Sequence, residues 1–181
     1  MVGNWWSGAE VDTLAAGKGA SEGYYAATLN LAGDHYPVIG DIKEHVYDKG
    51  NGGDESYIGT VLWNRGVAMA MLTTEAVRNA QAKYGNKPMS GSQVRWGIEN
   101  LDLSQARLDS LGFGKMVPPI KVSCEDHEGS GLAGFQQWDG AKWISVSDWI
   151  QGDSDLVRRQ VEESAAKYAK EKNITPKCLG G

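Results

Sequence analysis

The residues best suited to holding a ligand crowd into the first ten positions, in the stretch NWWSGAE. Trp5 and Trp6 offer indole faces for stacking and N–H donors, and Ser7 beside them donates or accepts a hydrogen bond. That is the chemistry of capture, not of bond breaking. A chain's first residues are ordinarily frayed and polar unless something ties them down. Two adjacent indoles there suggest a start inside something larger. A second polar group, Glu125, Asp126, His127 and Glu128, lies in a glycine-flanked loop. Such a run reads as a solvated turn before it reads as a metal or acid–base centre.

Bond-breaking motifs are absent. The sequence carries no G-x-S-x-G elbow, no P-loop, no G-x-G-x-x-G after a strand and no His-Glu-x-x-His. His35, His45 and His127 stand far apart with no motif around them. A buried carboxylate pair of the glycosidase kind leaves no spacing signature, so spacing does not speak against one. The reading is a protein that is not an enzyme and needs no cofactor or metal. Cys124 and Cys178 are too few and too far apart for a zinc ribbon, whose tetrahedral site needs close thiolate pairs. They remain either a disulfide, if the protein lives in an oxidising compartment, or two unrelated thiols.

The chain has 181 residues, 41% hydrophobic and 23% charged, which suits one domain or two small lobes. Its net charge of −5 comes with dispersed Lys and Arg, so there is no basic face for phosphates. Nucleic acid and anionic membrane are thereby poor partners. No apolar run approaches the roughly 20 residues that span a bilayer, and the first residues lack the pattern of a secretory signal.

The elements that must position these residues come in mixed order. Glu10 to Ala16 reads as a short helix stopped by Gly17, and GYYAATL (23–29) as a strand. Pro37 starts another short helix, with Ile42 and Val46 four apart. From Glu55 to about Tyr84, apolar positions keep helical spacing, although Gly59 and Gly66 interrupt the run at roughly 1 kcal/mol each against alanine. Ser90 with Gln93 forms a capping-box pair, and Ser104 caps a further short helix ending before Gly112. IKVSC (120–124) alternates like a strand after Pro118-Pro119, and Asp139-Gly140 between aromatic and β-branched runs predicts a hairpin. A last helix runs from about Asp155 to Lys172 with Val157, Val161, Ala165 and Tyr168 in one stripe. The class is α/β. Its central sheet looks incomplete, because only 23–29 and 120–124 are clear strands for a parallel sheet that at least four helices need to cover.

Five stretches in order, NWWSGAEVDTLAAGKGASEGYY, ESYIGTVLWNRGVAMAMLTTEA, VRWGIENL, VSCEDHEGSG and FQQWDGAKW, resemble the C-terminal half or so of the branched-chain amino-acid-type substrate-binding proteins of ABC transporters. These are type I periplasmic binding proteins. The resemblance implies a partial type I fold, with portions of two α/β lobes joined by crossing strands around a ligand cleft. Residues 1–28 then correspond to a second-lobe segment with the cleft loop and one crossing strand. Residues 29–126 correspond to the returning part of the first lobe. Residues 127–181 correspond to the third crossing, the hairpin and the final second-lobe helix.

On this resemblance Trp5, Trp6 and Ser7 present their side chains to the cleft, with one indole packing inward as the plain alternative. Amino-acid binders of the family place an acid in this loop against the ligand ammonium. Here the nearest carboxylate is Glu10, offset by a few positions, which makes an aromatic or amide-like solute as good a match as an aliphatic amino acid. Tyr57 corresponds to the first-lobe aromatic that reaches the cleft, and Arg65 reads as neutralising a carboxylate within that lobe. The implied function is solute capture for an ABC importer, with a membrane permease as partner and the periplasm as its place. Two other readings stand beside it. A truncated chain that no longer binds solute would self-associate as a homodimer or pair with a missing N-terminal part, covering its exposed sheet faces and edges. A carbohydrate-binding module would use the indoles to stack on sugars.

Overall fold

A computed structural model describes residues 2–175 and Cys178. A mixed sheet forms its spine. β1 (Val2–Gly3) runs parallel to β2 (Tyr25–Thr28), β2 pairs antiparallel with β5 (Leu132–Trp138), and β5 pairs antiparallel with both β6 (Trp143–Ser145) and β7 (Ile150–Gln151). The Asp139-Gly140 signal marks the β5–β6 connection, where Trp138 faces Trp143 in register. The loop also takes in Ala141 and Lys142, because the Asp139 carboxylate accepts both of their backbone N–H groups at 2.8 Å. Those two hydrogen bonds hold the Asp139 carboxyl below the usual carboxylate range.

The strand expected at 120–124 does not join this sheet. Only Ile120–Lys121 (β4) is extended, and it pairs antiparallel with Asp102–Leu103 (β3) as a separate ribbon. Its alternation is real, but Leu101 and Leu103 belong to a helical core and take Ile120 and Val122 with them. The central sheet is therefore not the parallel one expected; β2 finds its long partner in the antiparallel β5.

The larger apolar core joins helices to the loops and ribbon strand between residues 101 and 117. α3 (Pro37–Ile42) contributes Ile39, α4 (Val61–Tyr84) contributes Ala68, Met71 and Ala76, and α6 (Gln105–Ser110) contributes Leu108. α5 (Gly91–Ile98) starts at the Ser90/Gln93 capping box and docks against α4 at Gly97. A Cβ at Gly97 would fall on the carbonyl of Ala76, so only glycine permits this approach. A smaller core of Ala26, Val61, Trp138 and Trp143 joins the sheet to the start of α4.

The helix expected as one run from Glu55 is two elements. A single 3-10 turn at Glu55–Tyr57 ends, Gly59 adopts φ +83°, and α4 begins at Val61. Gly59 must be glycine because its backbone lies against Gly33 and Asp34 in a left-handed conformation. Gly66 stays within the helix.

α1 (Glu10–Ala16) and the short α2 (Lys18–Ser21) lead into β2. At the far end α7 (Ser154–Lys172), capped by Asp153, buries none of its residues, and its Val157–Val161–Tyr168 stripe stays exposed. Its attachments are polar or covalent: Arg158 lies 3.6 Å from Asp126 and donates to the Glu125 carbonyl, and Cys178 is disulfide-bonded to Cys124. The acidic loop at 125–128 thus serves in part to anchor this helix, and His127 Nε2 stands 3.4 Å from the buried Glu99 carboxylate.

Candidate functional site

The loop after β1 is shaped by its own polar side chains. Asn4 Oδ1 accepts from the Trp6 backbone N–H, and Ser7 Oγ shares a 2.8 Å hydrogen bond with the Tyr24 hydroxyl. This folds Trp5–Ser7 into one 3-10 turn and lays the two indoles together, ring centroids 4.3 Å apart and tilted by 30°. Trp6 is 71% exposed; Trp5 is half-buried and has a cation on its face. The Arg65 guanidinium sits 4.6 Å from the Trp5 ring centroid.

Glu10 reaches the start of α4. Both its oxygens accept from the Val61 N–H, at 3.0 and 3.1 Å, meeting one of the donors that a helix start leaves without an internal partner. A carboxylate there also complements the helix dipole. Burial nevertheless outweighs these hydrogen bonds and pushes the Glu10 carboxyl above its ordinary value. A carboxyl raised in the fold favours the protonated form, so its contribution to stability is full below the ordinary carboxylate range and declines as pH rises through the raised value. Glu10→Gln is expected to flatten that decline, read as denaturant midpoints between pH 4 and 7. An unchanged slope would show that Glu10 carries no such cost.

A polar chain continues inward from this point. Asn30 donates to the Val61 carbonyl at 2.9 Å and accepts from Arg65 Nε at 3.2 Å. Asn64, fully buried, donates to the carbonyls of Leu31 and Gly33, both at 2.9 Å. The first turns of α4 are thereby fixed to the segment leaving β2. Of the residues singled out in the sequence, Glu10 meets α4 at Val61 and Trp5 meets it at Arg65, while Trp6 lies against Trp5 and Ser7 is bonded to Tyr24.

Tyr57 lies apart from them. It is 57% exposed on its 3-10 turn and borders a cavity of about 400 Å³ with Tyr47, Asp54, Thr60, Leu62 and Trp63. Glu10 borders another, of about 210 Å³, with Gly59, Thr60, Lys142 and Trp143. A third and larger cavity, about 570 Å³, opens between the segment 31–36 and the hairpin exit at 142–149, walled by Tyr36, Trp143 and Trp149. Burial pushes the Tyr36 phenol to about 12, so it stays protonated there.

Sequence reasoning did not single out Asn30, Lys142 or Trp143 as site residues, since two polar loop residues and the first residue of a short strand carry no spacing that marks a site. It also assigned Arg65 a carboxylate partner within the lobe. Among the described residues Arg65 makes no ion pair; its contacts are Trp5 and Asn30.

No protein-family model and no curated protein matches this chain. Two solved structures do. One is described as an ABC transporter permease from the Pseudomonas fluorescens group, and it superposes on 99% of this chain at a TM-score of 0.92 with 39% identity. The other is a branched-chain amino-acid ABC transporter from Thermus thermophilus with bound valine, matching 90% of this chain at a TM-score of 0.64 with 23% identity. The fold is part of a type I periplasmic binding-protein fold. This chain spans 43% of the first solved protein's length and 41% of the second's. Both neighbours are described as ABC transporter proteins. Among the described residues of the partial type I fold, no helix is long and apolar enough to cross a membrane.

Proposed function

We propose that this chain belongs to the solute-binding component of an ABC importer, which captures a small amino-acid-like, amide or aromatic solute and delivers it to a membrane permease. The observation that carries this reading is the superposition of nearly the whole chain on an ABC transporter component at 39% identity. In this reading residues 1–28 and 127–181 belong to the second lobe and 29–126 to the first, with β2 and β5 as two of the crossing strands. Trp5 and Trp6 form a stacking wall, Ser7 and Glu10 offer polar groups beside it, and Tyr57 closes from the first-lobe side. Capture buries the solute as the lobes approach, and the closed population rises because the solute touches both. The Cys124–Cys178 disulfide supports an oxidising compartment, which for such a protein is the periplasm.

The test is a thermal-shift and calorimetric screen of this chain against the twenty amino acids, their amides and simple aromatic acids. At least one is expected to raise the melting temperature, with loss of the shift in Trp5→Ala. A chain that none of them shifts, and that light scattering finds to be a dimer, would replace this reading with the self-associating one.

A further inference from the structure

Arg65 is a half-buried cation that makes no ion pair among the described residues. Elsewhere buried Glu75 is gripped by Arg78 at 3.0 Å and by Arg107 at 2.9 Å, and half-buried Arg158 pairs with Asp126 and Glu162. Arg65, half-buried on α4, instead has its guanidinium over the Trp5 ring and its Nε bonded to Asn30 Oδ1. No hydrogen bond or ion pair among the described residues engages its two terminal nitrogens.

A guanidinium carries five N–H donors in a planar fork. Removing part of its hydration without supplying an anion costs free energy, and burial here does lower the affinity of Arg65 for its proton. Its orientation is nonetheless set. Asn30, which holds Nε, is itself fixed by the Val61 carbonyl and by Thr28 Oγ1, and Trp5 supports the plane of the fork. A fork held in place loses little freedom when a planar two-oxygen anion binds its open edge, and such pairs are strong and directional.

We propose that Arg65 is the carboxylate-recognition residue of the solute site, binding a monocarboxylate through its terminal nitrogens while Trp5 stacks beneath the guanidinium. The proposal rests on the solute-capture reading and names its ligand class. Monocarboxylates are favoured over dicarboxylates because the Glu10 carboxylate contacts Val61 one helical turn before Arg65 and repels a second negative charge.

Two pairs of probes that differ in charge but scarcely in shape test this on the chain as it stands: benzoate with benzamide, and isovalerate with isovaleramide, by calorimetry at constant ionic strength. In at least one pair the acid is expected to bind about tenfold or more tightly than its amide, as loss of a charge-assisted contact implies. Arg65→Gln should remove that preference while keeping amide binding, and Arg65→Lys, which keeps the charge and loses the fork, should retain only part of it. Retained amide binding shows that the variant is folded; if Arg65→Gln does not fold, the wild-type preference and Arg65→Lys still decide. Amides that bind as well as their acids would overturn the role of Arg65 and leave solute capture standing. Failure of all four probes, and of the wider solute screen, would overturn both.

Discussion

Trp138→Ala is expected to lower the stability of this chain by about 3–5 kcal/mol, the range for removing a large aromatic from a packed core. Trp138 is 1% exposed on β5 and meets Trp143 edge to face, ring centroids 5.5 Å apart. Around them lie Ala26 of β2 and Val61 of α4, so one side chain ties the sheet, the hairpin and the start of the long helix together. Domains of this size are stable by about 5–15 kcal/mol in total, which makes that loss a large share. The same substitution loosens the Val61 backbone, to which both Glu10 and Asn30 are bonded. If the proposed solute capture holds, affinity should fall along with stability, even though Trp138 borders neither the cavity at Glu10 nor the one at Tyr57. Urea titration followed by far-ultraviolet circular dichroism reads the stability, with Trp6→Ala as the control that should change it little. A shift below about 1 kcal/mol for Trp138→Ala would mean that this small core can collapse around the gap and does not carry the junction.

The second large effect is expected where the chain has a covalent tie and almost no packing. Cys124 and Cys178 are 54 positions apart, and the loop-closure model sets a ceiling of about 4 kcal/mol on what such a link contributes. α7 offers nothing buried to the rest of the molecule, so its place depends on this link and on Arg158. Breaking the bond with dithiothreitol, or by Cys178→Ser, should release α7 locally before the sheet is affected. Hydrogen exchange is expected to show protection of the α7 amides falling about tenfold or more while β2 and β5 keep theirs. The global midpoint should move by less than the loop-closure ceiling, because an undocked α7 lets the rest stay folded. Unchanged α7 protection after complete reduction would show that the Arg158 contacts hold the helix by themselves.

Much of this protein was legible in its sequence. Helices at 10–16, 61–84, 91–98, 105–110 and 154–172 follow from apolar spacing, caps and stops that act within a few residues of one another. The Asp139-Gly140 hairpin is as local as those helices, since one carboxylate and two neighbouring N–H groups make its turn. The order of five short stretches pointed to the type I fold without any structure, because each stretch keeps its own residue pattern.

Tertiary structure decided what depends on residues far apart. The partner of 120–121 could not be read from its alternation, which says which face is apolar and nothing about what covers it. Gly59 separates one turn from a long helix only because the segment at 33–34 lies against it. The same distinction governs the site. Trp5, Ser7 and Glu10 were visible as residue types able to bind a small molecule, but the engagement of Glu10 with the α4 start and the open fork of Arg65 arise from contacts across 51 and 35 positions of sequence. Side-chain chemistry and short-range spacing are properties of the sequence itself; which charges meet and which are left without an ionic partner is set by packing, where burial fixes what each group costs if unpaired.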